Sequence, residues 1–179
     1  MSLPFPRGGF RVDELLIRSP VLDDVTAIAS AFLDPDVGGE AGLPPLNDAE
    51  LRAFMQRDLP AMQASGFLSP FVILERGGTI PGGITLHHYD EQRSRIEVGY
   101  WLLPTGRGRG IATRAVRTLA NHVHSNGVVR LEAVVRLENE RSIRVLERLG
   151  FTREGTLRQL LRYRNGRADA YIYSLLAGE

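Results

Sequence analysis

The stretch "PTGRGRGIAT" (residues 104–113) constrains the fold of this chain more than any other ten residues. It follows an apolar run, "EVGYWLL" (97–103). It precedes a segment in which Ile111, Ala115, Leu119 and Val123 recur every four residues, the spacing of one helical face. A strand that passes through a glycine-rich loop into a helix places unpaired N–H groups and the positive end of the helix dipole beside open backbone. Such a junction holds an anion, phosphate above all. Gly108 and Gly110 let the ligand approach the main chain, and Arg107 and Arg109 add charge.

Composition narrows what that anion belongs to. All 22 basic residues are arginine, so the P-loop pattern GxxxxGK[ST] is excluded, as is lysine as a base or Schiff-base former. The dinucleotide fingerprint GxGxxG/A fails at Thr113, where its last small residue should stand. The absence of cysteine removes disulfides, thiolate metal sites and a thiol nucleophile. A net charge of +1 provides no field for nucleic acid. No apolar run approaches the ~20 residues of a membrane helix. The first ten residues lack the basic-then-apolar order of a secretory leader. A cytoplasmic protein without membrane or direct nucleic-acid partners is expected.

The remaining pattern predicts the order β-α-α-β-β-β-α-β-α-β-β in a single domain spanning residues 1–179, with 1–10 a loose segment. The first strand falls at 11–17. Asp23 and Asp24 precede a helix through Phe32, residues 33–45 form a loop, and Asn47 caps a helix that Pro60 divides. Strands follow at 71–74, 80–88 and 95–103, then a helix at 110–125 and a buried strand at 128–135. A short helix at 139–149 closes on Gly150. The Asn165-Gly166 turn predicts a final hairpin. His87 and His88 are expected on opposite faces of a strand. His122 and His124 have the wrong spacing for one helical face, so no metal is expected. Arg158, Arg162, Arg164 and Arg167 read as a solvated face of the hairpin.

The loop residues Arg107, Gly108, Arg109, Gly110, Ile111 and Ala112 meet the pattern [Q/R]-x-x-G-x-[G/A], the pyrophosphate loop of the GNAT N-acetyltransferase superfamily. "EVGYWLLP" resembles the family's fourth strand, and "RLENERSIRVLERLGF" (136–151) resembles its Asn-x-x-Ser segment and terminal LGF signature. "EGTLRQLLRYRNGRADAYIYSLL" (154–176) resembles the closing hairpin of the branch that acetylates the N-termini of ribosomal proteins. The resemblance runs from about residue 11 to 176. It implies a mixed α/β fold with a mostly antiparallel sheet of about seven strands, splayed between strands four and five and flanked by about four helices.

The resemblance also implies a chemistry: acetyl transfer from acetyl-CoA to a primary amine, without a metal. The amides from Arg107 to Thr113 would clamp the pyrophosphate. The pantetheine arm would lie along Leu102 and Leu103, one of whose amides would hydrogen-bond the thioester oxygen. Asn139 would meet the arm, Ser142 would protonate the departing sulfur, and Glu97 would act as base through water. From spacing alone Asn139 serves equally as a helix N-cap and Ser142 as an ordinary first-turn residue. Tyr163 and Tyr173 are weaker candidates as acids. The acceptor site would form from residues 33–45 and the final hairpin. The acceptor implied is the N-terminal α-amine of a ribosomal protein. The rivals are a small amine (aminoglycoside, polyamine or amino acid) and a non-catalytic acyl-CoA-binding module. Homodimerisation is a property the family suggests.

Overall fold

The computed structural model describes residues 3–6, 8–34, 37–38, 46–163 and 166–179, with Tyr163 described by its backbone alone. Most of the loop at 33–45, Arg164 and Asn165 of the predicted turn therefore lie outside the described residues. The elements are β1 (Phe10–Val12), β2 (Leu15–Arg18), α1 (Val25–Leu33), α2 (Asp48–Arg57), α3 (Leu59–Ala64), β3 (Leu68–Leu74), β4 (Gly82–Asp90) and β5 (Arg95–Leu102). They continue with α4 (Ile111–Ser125), β6 (Arg130–Arg136), α5 (Glu140–Arg148), β7 (Thr152–Tyr163) and β8 (Gly166–Leu176).

Local sequence explains several boundaries. Asn47 accepts from the Glu50 amide while the Glu50 carboxylate accepts from the Asn47 amide, so a reciprocal capping box starts α2. Pro60 then sits in the first turn of α3, where its missing N–H costs nothing. The expected first strand is instead two. Asp13 adopts φ 54°, a left-handed conformation that Asp tolerates, and folds residues 10–18 into a tight hairpin. The sheet therefore has eight strands rather than about seven, and the described residues form five helices rather than about four. The N-terminal segment is not loose where it is described. Leu3 is buried, Phe5 packs edge-on against Phe71, and the Pro4 carbonyl lies 2.8 Å from His122 Nε2.

The strands run in the order β1-β2-β3-β4-β5-β6-β8-β7, antiparallel except for β5 and β6. A parallel neighbour requires a crossover, and α4 supplies it. Ile96 and Val98 of β5 face a core built with Ile111, Ala115, Leu119 and Val123 of α4 and Leu146 of α5, with Tyr100 and Leu102 packed against it. The opposite face carries a smaller cluster of Val25, Ile28, Leu51, Val72 and Ile80, joined by Phe32 and Trp101. No helix of the described residues is long and apolar enough to cross a membrane.

β5 and β6 pair over three residues each, Arg95–Glu97 against Arg130–Glu132, and then part. This is the splay expected between the family's fourth and fifth strands, shifted by one here because of the extra hairpin. The paired end is strapped by charge. Arg95 donates to Glu132 at 2.8 Å, Arg130 donates to Glu132 at 2.7 Å, and Arg130 also grips Glu154 of β7, whose other partner is Ser174 of β8. The strap thus crosses all four strands on the closed side of the splay.

Glu154 holds its proton only to about 2, against an ordinary 4.5, because Arg130 and then Ser174 hydrogen-bond its charged form. A depressed carboxylate contributes stability above its unfolded value, and that contribution is lost as pH falls through the folded value. Glu154 is 40% exposed, so solvent screening keeps the gain modest. Arg130→Ala should cost about 1–2 kcal/mol at neutral pH. The difference from wild type should narrow as pH falls from about 5 toward 3. Denaturant titrations across that range check this, and a difference independent of pH would contradict it.

Candidate active site

The glycine loop leaves β5 through a single turn of 3-10 helix at Pro104–Gly106 and enters α4 at Gly110. Gly108 and Gly110 both adopt left-handed backbone (φ 73° and 69°), which costs another residue roughly 1–2 kcal/mol. A Cβ at either would meet no other atom within 4 Å, so open space lies beside this backbone. The first amides of the fifteen-residue α4, from Ile111 to Thr113, thus face open space in the manner an anion site requires. The two arginines are placed differently from each other. Arg107 Nε donates to the Leu102 carbonyl at 3.1 Å and stays by the end of β5. Arg109 donates to Glu75 and to the Thr105 carbonyl and so buttresses the loop.

The splay decides which backbone amide can meet a thioester. Leu103 N–H is donated to the Pro81 carbonyl at 2.9 Å, which removes Leu103 from the expected pair of donors. That bond also makes Gly82 and Leu102 a non-hydrogen-bonded pair of the β4–β5 ladder. The N–H and C=O of Leu102 therefore turn away from β4, toward the edge from which β6 has parted. Arg107 caps the carbonyl at that edge.

Glu97 and Ser142 approach β5 from opposite faces. Glu97 shares its face with Trp101, which packs edge-on against Phe32 and lies across Gly83, where a Cβ would come within 2.7 Å of the indole nitrogen. Ser142 is on the face of Tyr100, whose hydroxyl donates to the Ser142 carbonyl at 3.3 Å. Burial pushes the Tyr100 phenol up to about 12, so it remains a neutral donor that holds the start of α5 against β5. Asn139 caps α5, its side-chain oxygen accepting from the Ser142 amide at 3.1 Å. The cap engages the carboxamide oxygen. Tyr173 is buried and donates to Glu147 at 3.3 Å, a packing role. The side chain of Tyr163 lies outside the described residues.

The expectation for His87 and His88 is overturned. β4 shifts register against β5 between His87 and Asp90, and His88 takes φ 56°. This bulge turns His88 back onto the face of His87. His88 Nδ1 stands 3.1 Å from His87 Nδ1 and 3.3 Å from Glu97 Oε2, and His87 Nε2 is 3.7 Å from Glu97 Oε1. The three side chains could hold a metal ion, and one of them, Glu97, is the candidate base. Burial lowers the affinity of His87 for a proton, partly offset by the Glu97 charge. An irregular register cannot be read from a local stretch. The adjacent histidines at a strand end were the available signal. His122 and His124 instead lie against the carbonyls of Pro4 and Val128.

Comparison with known proteins agrees with this geometry. Residues 14–152 match the model of the acetyltransferase (GNAT) domain. An uncharacterized N-acetyltransferase, YoaA of Bacillus subtilis, is 30% identical over 168 residues, which cover 92% of this chain and 94% of the relative. The ribosomal-protein-serine acetyltransferase of Escherichia coli is 29% identical over 110 residues, 61% of each chain. A solved structure described as a probable acetyltransferase superposes with a TM-score of 0.85 at 27% identity, covering 94% of this chain and 96% of that one. With the splayed strands, the glycine loop and these matches together, the chain belongs to the GNAT acetyltransferase family and is an N-acetyltransferase that uses acetyl-CoA as donor.

Proposed function

We propose that this enzyme acetylates the N-terminal α-amine of a protein, a ribosomal protein in the first instance, which would place it in the cytoplasm. The observation that carries the mechanism is the opposition of Glu97 and Ser142 across β5 at the splay. The amides of 108–113 bind the pyrophosphate, and the pantetheine arm follows the free edge of β5. Leu102 N–H donates to the thioester oxygen, where one such donor contributes about 2.7–4 kcal/mol to the transition state. The amine enters on the face of Glu97 and Trp101, and Glu97 receives its proton through water. The new N–C bond forms as the C–S bond breaks, and the sulfur departs on the Ser142 face with a proton from that hydroxyl, which recovers one from solvent water while Glu97 gives its own up to solvent.

The α-amine assignment rests on two supports. One relative, 29% identical over 110 residues, is a ribosomal-protein-serine acetyltransferase. An α-amine also titrates near 7.7–8.0, against about 10.4 for lysine, so a carboxylate relayed by water suffices to deprotonate it.

Three outcomes test the reading. In a screen following thiol release, peptides with free N-terminal Ser or Ala should turn over, while spermidine, aminoglycosides and free amino acids should not. Faster turnover of a small amine would reassign the acceptor, and no turnover with any amine would leave a binding module. Ser142→Ala should keep acetyl-CoA affinity by calorimetry and lower kcat about 10²-fold; an unaltered kcat removes Ser142 from the mechanism. Gly110→Ala should weaken acetyl-CoA binding at least about tenfold, since a Cβ strains the left-handed turn that aims the α4 amides. Wild-type affinity in that variant would refute the clamp.

A further inference from the structure

We propose that His87, His88 and Glu97 bind a divalent ion of the zinc class, and that the bound ion switches acetyl transfer off by taking the Glu97 carboxylate. The binding stands on the cluster alone; its effect on turnover rests on Glu97 being the base.

One atom in the cluster has more neighbours than hydrogen bonding can serve. His88 Nδ1 stands 3.1 Å from His87 Nδ1 and 3.3 Å from Glu97 Oε2. A nitrogen of a neutral imidazole offers either one N–H or one lone pair. As a donor to Glu97, His88 Nδ1 has nothing left for His87; as an acceptor from His87, it sets a lone pair against the carboxylate. A cation shared by the three side chains removes the conflict, because each then gives it a lone pair. Ligands about 2.0–2.2 Å from a zinc-sized ion lie roughly 3.0–3.5 Å from one another, and both separations fit. The remaining side of the triangle, His87 Nε2 to Glu97 Oε1, is 3.7 Å. Two imidazoles and one carboxylate select zinc, copper, nickel or cobalt over magnesium and calcium, which prefer oxygen ligands.

The fold supports such a site. The bulge and the left-handed backbone at His88 bring two adjacent imidazoles to one side of β4, which regular alternation forbids. Strain of this kind persists only where the surroundings hold it. The His88 amide is anchored to the Phe67 carbonyl at 3.0 Å, and the Tyr89 amide to the Gly66 carbonyl. Phe67 also meets the His88 ring edge-on at 5.2 Å. Glu97 and His87 keep 21% and 22% of their side chains exposed and His88 53%, so an ion enters from the His88 side and keeps water in its open positions. Neighbouring carboxylates are engaged elsewhere, Asp90 with Arg93 and Glu132 with Arg95 and Arg130. The ion therefore draws on Glu97, and a carboxylate committed to a cation no longer serves as base.

The test uses the full-length enzyme without a polyhistidine tag and the acceptor that turns over fastest in the screen. Calorimetry should find one Zn²⁺ per chain, and Co²⁺ should raise a visible absorption band that saturates at the same ratio. His88→Ala should weaken Zn²⁺ binding at least about tenfold, the cost of losing even an outer partner of a bound metal. His88→Asn, which tolerates the left-handed backbone, should do the same and separates ligation from strain. Saturating Zn²⁺ should lower the initial rate of product formation on the order of a hundredfold, the contribution of a general base, with acetyl-CoA affinity unchanged. EDTA should restore the rate, and each His88 variant, judged against its own metal-free rate, should need correspondingly more Zn²⁺. Wild-type Zn²⁺ affinity in both His88 variants overturns the proposal, as does bound Zn²⁺ that leaves turnover unchanged where Glu97→Gln is slow. Loss of activity on EDTA treatment alone also overturns it, since the ion would then be a cofactor. Wild-type turnover in Glu97→Gln instead removes the base and with it the inhibition, while the site stands or falls on the Zn²⁺ affinities.

Discussion

The proposed chemistry of this protein depends on β5 being paired along one edge and abandoned on the other beyond Glu97. Two neighbouring strands that separate leave backbone donors and acceptors exposed to whatever enters the gap. A protein meets that cost only where a ligand repays it. Here the separation begins immediately beyond Glu97 and Glu132, and the arginine-glutamate strap keeps it from running further. The strap thereby sets the depth of the cleft and fixes Glu97 at its closed end.

The three parts of the site follow from that geometry. The loop beyond β5 is turned by two left-handed glycines so that α4 begins directly past the open end of the gap, where the proposed mechanism puts the phosphates. The alternation of β5 side chains sends Glu97 and Trp101 to one face and Tyr100 to the other. Tyr100 in turn fixes α5 through the Ser142 carbonyl. Base and acid candidates are kept apart by the sheet itself, so an amine and a departing thiol need not compete for one channel.

Much of this was legible in the sequence because it is local. The glycine loop, the Asn47 and Asn139 caps and the period-four face of α4 each depend on residues within one or two turns of one another. The features that were not legible depend on register between distant segments. Leu103 loses its role because its amide meets Pro81 across the β4 ladder. The Asp13 turn divides what reads as one strand, and its neighbour Glu14 together with Asp13 is held by Arg114 a hundred residues away. The two histidines converge only because a bulge breaks the alternation that their adjacency would otherwise impose.

In the proposed mechanism the free edge of β5 receives the thioester and Leu102 is its donor. A crystal structure of the acetyl-CoA complex tests this most directly. The pyrophosphate should lie on the amides of 108–113, the pantetheine arm along β5 between the parted strands, and the thioester oxygen within hydrogen-bond distance of Leu102 N–H. A thioester directed at another donor, or an arm that avoids the splay, would contradict it.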